Sequence, residues 1–67
     1  MSTRPVTIEE QVACVEREVK LRKRVYLRWV GEGRMTQAKA DAEIAAMEAV
    51  LATLQAQVPP PAQGGLL

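Results

Sequence analysis

Two runs of apolar residues, separated by one glycine-containing break, agree in both spacing and phase, and that agreement leaves this chain few folds to adopt. In the first run the apolar positions are Ile8, Val12, Val15, Val19, Tyr26 and Trp29, with Arg22 filling the remaining place. In the second they are Ala40, Ile44, Met47, Leu51, Leu54 and Val58. Both runs alternate steps of four and three, which keeps the side chains on one stripe of an α-helix. If the chain reverses at Gly31-Glu32-Gly33-Arg34, the stripes meet in constant register, from Ile8 opposite Val58 to Tyr26 opposite Ala40. Unrelated amphipathic helices would not keep phase over that length. The spacing predicts an all-α chain, an antiparallel two-helix hairpin over about 7–31 and 36–58.

The ends of the helices are also written in the residues. Thr7-Ile8-Glu9-Glu10 has the form of a capping box, with the Thr7 hydroxyl and the Glu10 carboxylate each satisfying the other residue's amide. Glu9 and Glu10 suit the positive end of the helix dipole, and Arg24 and Arg28 suit the negative end. Gly31 or Gly33 can take the left-handed conformation that ends the helix. Thr36 is a natural N-cap for the second helix, Met35 can pack against Ala40 as a staple, and Pro59 closes it. Residues 1–6 then form an N-terminal tail. The Pro/Gly-containing stretch 59–67 cannot propagate a helix and is expected to be disordered.

The two flanks of the seam differ. One carries Glu9, Glu16 and Lys23 against Gln55, Glu48 and Asp41, with Lys23 placed to pair with Asp41. The other carries Cys14, Leu21 and Val25 with Ala46 and Val50. A two-helix hairpin has no third layer to cover such an apolar edge. A chain of 67 residues with one cysteine also has no internal disulfide to stabilise it. The expectation is a homodimer that buries Cys14, Leu21, Val25, Ala46 and Val50 in a four-helix bundle.

Charge is segregated although the chain's net charge is only +1. Arg17, Lys20, Arg24 and Arg28 are spaced three, four and four, so they line one outer face of the first helix. That ridge is a candidate docking surface for an acidic protein or for a phosphate backbone. Base-reading residues such as Asn or Gln are absent between Lys20 and Arg28, which weighs against sequence-specific DNA reading. Arg22 falls in the seam, where its stem can pack while the guanidinium reaches Glu18. Glu16 and Lys20 are placed for a similar pair one turn apart. Trp29 closes the hairpin end with Met35 and Ala40, or else serves as an exposed anchor for a partner. On the second helix Ala38, Ala42, Ala45, Ala49, Ala52 and Ala56 form a smooth face away from the seam.

Catalysis finds no foothold in these residues: histidine is absent, as are nucleophile–base pairs and a phosphate-cradling glycine loop. Without histidine or a second thiol, a metal site would rest on carboxylates alone. No cofactor is expected, and no run is apolar enough to enter a membrane. The expectation is a non-enzymatic cytoplasmic interaction protein.

The stretch Arg24-Val25-Tyr26-Leu27-Arg28-Trp29-Val30, then Gly33-Arg34-Met35-Thr36-Gln37-Ala38-Lys39-Ala40, then Glu43-Ile44-Ala45-Ala46-Met47-Glu48-Ala49-Val50, resembles a group of short uncharacterised helical proteins encoded by phages and prophages. Members of that group often carry proline after the tyrosine, where this chain has Leu27, so the first helix should be straighter here. The resemblance implies a phage setting in a bacterial host, and with it binding to, and inhibition or redirection of, a host or phage protein. A small nucleic-acid-binding protein using the ridge is the alternative.

Overall fold

The computed structural model describes residues 4–60; the rest of the expected tails, residues 1–3 and 61–67, lies outside the described residues. Among the described residues there are two α-helices that pack against each other and no strand, α1 over Ile8–Gly31 and α2 over Gln37–Gln55. Helix α1 begins where expected. Glu10 N–H donates to the Thr7 hydroxyl at 3.1 Å, and Thr7 N–H donates to the Glu10 carboxylate at 2.9 Å, completing the capping box. The helix runs without a break through Leu27, as a residue with a free N–H and no ring permits.

The reversal settles which glycine ends α1. Gly33 takes φ +75, while Gly31 stays within the helix. Gly33 N–H donates to Val30 C=O at 3.1 Å and Arg34 N–H donates to Trp29 C=O at 2.8 Å. This is the Schellman pattern, in which two otherwise orphaned carbonyls are satisfied by residues past the cap. A hydrophobic contact usually accompanies it, between the residue two past the cap and the helix's last turn. Here the Arg34 guanidinium fills that role, lying 5.1 Å from the Trp29 ring centroid.

The two glycines therefore respond to alanine in opposite directions. A Cβ meets nothing within 4 Å at either one. Gly31→Ala removes the entropic penalty of a helical glycine and should stabilise the hairpin by about 0.5–1 kcal/mol. Gly33→Ala forces an L-residue into left-handed backbone and should destabilise it by about 1–2 kcal/mol. Urea titrations followed by circular dichroism should show midpoints on opposite sides of wild type.

Helix α2 is capped by Thr36, whose hydroxyl accepts from Lys39 N–H at 3.1 Å. Its other end falls short of the expected boundary at 58. The α-helix stops at Gln55, and Gln57 and Val58 N–H donate to Leu54 and Gln55 C=O at 3.0 and 3.1 Å. Pro59 disfavours α backbone at the residue before it, so the last turn tightens into three-residue closures. Val58 is half-buried all the same, so its place at the end of the seam survives the loss of helix.

Every residue assigned to the seam is shielded. Val19 and Ala40 are buried, and Ile8, Val12, Val15, Arg22, Tyr26, Trp29, Ile44, Met47, Leu51, Leu54 and Val58 are half-buried. The core is nonetheless thin, because among the described residues only Val19 and Ala40, at 6% and 4% exposure, fall in the buried class. Two helices enclose one row of side chains and leave both flanks of that row open.

Candidate functional site

The face bearing Cys14, Leu21, Val25, Ala46 and Val50 lies open. Leu21 keeps 43% of its surface and Val50 keeps 50%; Cys14 and Ala46 are exposed and Val25 is half-buried. Helix pitch explains the grouping. Cys14 and Leu21 are seven residues apart, Val25 follows one turn later, and Ala46 and Val50 are one turn apart on α2. The same pitch places Glu18 among them, held by Arg22 at 3.3 Å, and at the turn end the face is bounded by Arg28 and Lys39, the latter paired with Glu43 at 3.2 Å.

The opposite flank holds a feature that the seam pattern did not single out. Tyr26, Leu27 and Val30 of α1 face Ala40, Ile44 and Ala45 of α2 across a groove of about 350 Å³. Lys23, Gln37, Asp41 and Glu48 form its polar lining. Leu27 is 75% exposed, the highest value among the exposed large apolar side chains. The signal was present in the sequence: Val30 continues the series Glu9, Glu16, Lys23 at seven-residue spacing, so the polar flank turns apolar in its last turn. Ala45, grouped with the alanine face on spacing alone, belongs to this groove.

Lys23 does not pair with Asp41. Its ammonium lies 2.9 Å from the Glu48 carboxylate, while Asp41 accepts from the Gln37 amide at 2.8 Å. Gln37 sits one turn before Asp41 on the same helix and takes its short carboxylate, and the longer Glu48 reaches across the seam. Glu16 and Lys20, both exposed, form no pair either. Solvated partners one turn apart gain little from contact.

Arg22 behaves as its position in the seam requires. Its guanidinium donates to Glu18 at 3.3 Å and to the Tyr26 hydroxyl at 3.2 Å, so both that group and the tyrosine oxygen are satisfied beside the apolar row. Those two acceptors, Tyr26 first, hold the Arg22 pKa above its ordinary value. Tyr26 in turn lies against Trp29, with ring centroids 5.8 Å apart and planes tilted by 33°. Trp29 is thus half-buried in a stack that runs from Tyr26 to Arg34 across the turn.

Arg17, Lys20, Arg24 and Arg28 are all exposed, and none of the four makes an ion pair or a side-chain hydrogen bond among the described residues. Their charges are turned to solvent. Three of the hairpin's carboxylates are held by other cations, Glu18 by Arg22, Glu48 by Lys23 and Glu43 by Lys39.

At the entry to α1 the capping carboxylate is charged well below the usual range. The Arg4 guanidinium, which donates to Glu10, and then the Thr7 amide lower the Glu10 pKa from 4.5 to about 2. A depressed carboxylate contributes stability above its unfolded pKa and loses it as pH falls through the folded one. Glu10→Gln should therefore lower the thermal midpoint at pH 7, and the gap from wild type should close between about pH 4.5 and 2. A gap that stays constant across that range would remove the charge from the account of this cap.

No described helix is long and apolar enough to cross a membrane. Compared with protein-family models, with curated proteins and with solved structures, the chain matches none.

Proposed function

We propose that this chain is a non-enzymatic interaction protein that pairs with a second copy of itself and binds a further protein, inhibiting or redirecting it. The observation that carries this reading is the distribution of apolar surface. A hairpin in which, among the described residues, only Val19 and Ala40 are buried leaves Leu21 and Val50 open on one face and Leu27 open beside a groove on the other. Monomeric proteins scatter single exposed apolar residues, but clusters on defined faces mark interaction surfaces. The face of Cys14, Leu21, Val25, Ala46 and Val50 is assigned to the second copy, since two such hairpins complete a four-helix bundle. The groove with Leu27 is left for the outside protein. The resemblance to short phage and prophage proteins supports a bacterial host protein, or a phage protein, in that role.

Affinity capture from bacterial lysate tests the assignment when the bait is compared with its Leu27→Glu variant. A protein retained by wild type at stoichiometric yield and lost with Leu27→Glu supports it. Equal retention by both baits removes the groove from the reading.

The exposed, unpaired cations support a second reading, a nucleic-acid-binding protein using Arg17, Lys20, Arg24 and Arg28. Backbone binding releases counterions and must weaken steeply with salt. Titration onto duplex DNA at low and at physiological salt separates the readings. The interaction-protein account predicts no saturable binding at physiological salt. Tight binding with a steep salt slope, abolished by changing the four cations to alanine, would establish the second reading instead.

A further inference from the structure

We infer that the outside protein presents an acidic amphipathic helix, laid in the groove beside Leu27 with its carboxylates against Lys20 and Arg24. This rests on the assignment of that groove to an outside protein and adds the chemistry of the segment that enters it. Leu27 is where two features of α1 meet. It rims the groove on one side, and the cationic ridge lies on its other. Lys20 stands seven residues before it and Arg24 three before it, spacings that share a helix face. Arg17 and Arg28, ten before and one after, are turned further round the helix.

Charge decides what can cover Leu27. Lys20 and Arg24 are exposed and make no ion pair among the described residues. A protein surface that closes over Leu27 takes them out of water as well, which is costly unless it supplies carboxylates. The groove's own carboxylates stand on the α2 wall. Glu48 is held by Lys23 at 2.9 Å, and Asp41 accepts from the Gln37 amide at 2.8 Å. Glu16, the nearest carboxylate on this flank of α1, lies roughly 16 Å short of Leu27 along the helix, outside the groove lining. The site is therefore polarised across its width, with free cations along the α1 wall and Asp41, which no cation holds, on the α2 wall. A helix that matches it carries acid on one edge only.

Shape separates a helix from other anions. The groove follows α1 from Lys23 to Val30, roughly 10 Å at 1.5 Å per residue, which is the reach of two turns of apolar side chains. On the α2 wall it ends in Ala45, too small to hold a third helix away. A phosphate backbone can meet the cations but offers nothing to Leu27 or to the groove. A lipid surface is flat and cannot enter a cleft between two helices.

Two synthetic amphipathic peptides, each two heptads long, test this on the full chain. Both carry leucine at the a and d positions and glutamine along one edge. The other edge is glutamate in the first peptide and lysine in the second. Fluorescence anisotropy of the labelled peptides should show the glutamate peptide binding roughly tenfold more tightly. Lys20→Ala with Arg24→Ala should weaken that peptide roughly tenfold, the loss of two ion pairs, and Leu27→Ala should weaken it by about as much. Arg17→Ala with Arg28→Ala removes the same charge and should change binding less than about twofold at physiological salt. All five side chains are exposed, so circular dichroism should show the hairpin intact in each variant. Equal binding of the two peptides, both weakened by Leu27→Ala, would overturn the acidic partner and leave the groove reading standing. Absence of Leu27-dependent binding by either peptide would overturn both. Equal weakening by the two cation pairs would also overturn the inference and give the ridge to a polyanion, with duplex DNA and phosphatidylserine vesicles as the probes that tell which.

Discussion

Val19→Asp should leave the chain without a cooperative unfolding transition at room temperature. Val19 is one of the two buried residues among those described, and it lies in the middle of the seam, with Met47 in register across it. A short carboxylate there cannot reach water without separating the helices, and burying an unpaired charge is among the most destabilising single changes. Domains of this size rarely exceed about 3–5 kcal/mol of stability, so a loss of about 4 kcal/mol or more removes the fold. Val19→Ala provides the graded control. It deletes two carbons and leaves a small cavity, for a loss of about 2 kcal/mol, and should shift the urea midpoint while keeping a helical baseline. Circular dichroism at 222 nm distinguishes the two outcomes. If Val19→Asp melts like Val19→Ala, the seam is not the structure's main support.

The second large effect falls on association and spares the fold. Leu21→Glu together with Val50→Glu should convert the proposed dimer into a helical monomer. Leu21 and Val50 keep 43% and 50% of their surface exposed in the isolated hairpin, so about half of each side chain remains to be buried by a partner. At about 0.7–1.5 kcal/mol per half-buried aliphatic, four such side chains per dimer contribute about 3–6 kcal/mol. Their removal should weaken association on the order of a hundredfold to ten-thousandfold, and the added carboxylates repel one another across the two-fold axis. Glutamate is a good helix former, so the helical signal should persist at the concentration where the mass falls to that of one chain. Unfolding in step with dissociation would instead mean that the hairpin does not exist without its second copy.

The difference between these two variants mirrors what the sequence discloses. Seam positions such as Val12, Val19 and Leu51 were legible because helical periodicity repeats over many turns and the two series share one register. The caps at Thr7 and Thr36 were legible because capping needs particular side chains at fixed offsets. The choice of Gly33 over Gly31 was not, since both can adopt φ above zero and only the hydrogen bonds past the cap discriminate. Register alone pairs Lys23 with the wrong carboxylate, because pairings on a flank depend on side-chain reach and on rivals such as Gln37. The spacing carries α2 to 58 because Val58 continues the apolar series, which records burial and not backbone conformation.

The candidate faces follow the same division. Helix geometry groups Cys14, Leu21 and Val25 on α1 and Ala46 and Val50 on α2, and the structure leaves all of them but the half-buried Val25 exposed. The groove beneath Leu27 is not legible in the spacing because Val30 alone departs from a flank that is otherwise charged. Nothing in the spacing of Arg17, Lys20, Arg24 and Arg28 indicates whether those charges meet an anion, since an exposed ridge on a helix looks the same with or without a ligand.

Self-association through the open apolar face is the claim on which the account turns, and sedimentation equilibrium of the full chain across micromolar concentrations tests it most directly. The account predicts a mass near twice the 7.4 kDa of one chain, falling toward one chain on dilution and, in the Leu21→Glu, Val50→Glu variant, at every concentration. A wild-type chain that stays at 7.4 kDa throughout would contradict it.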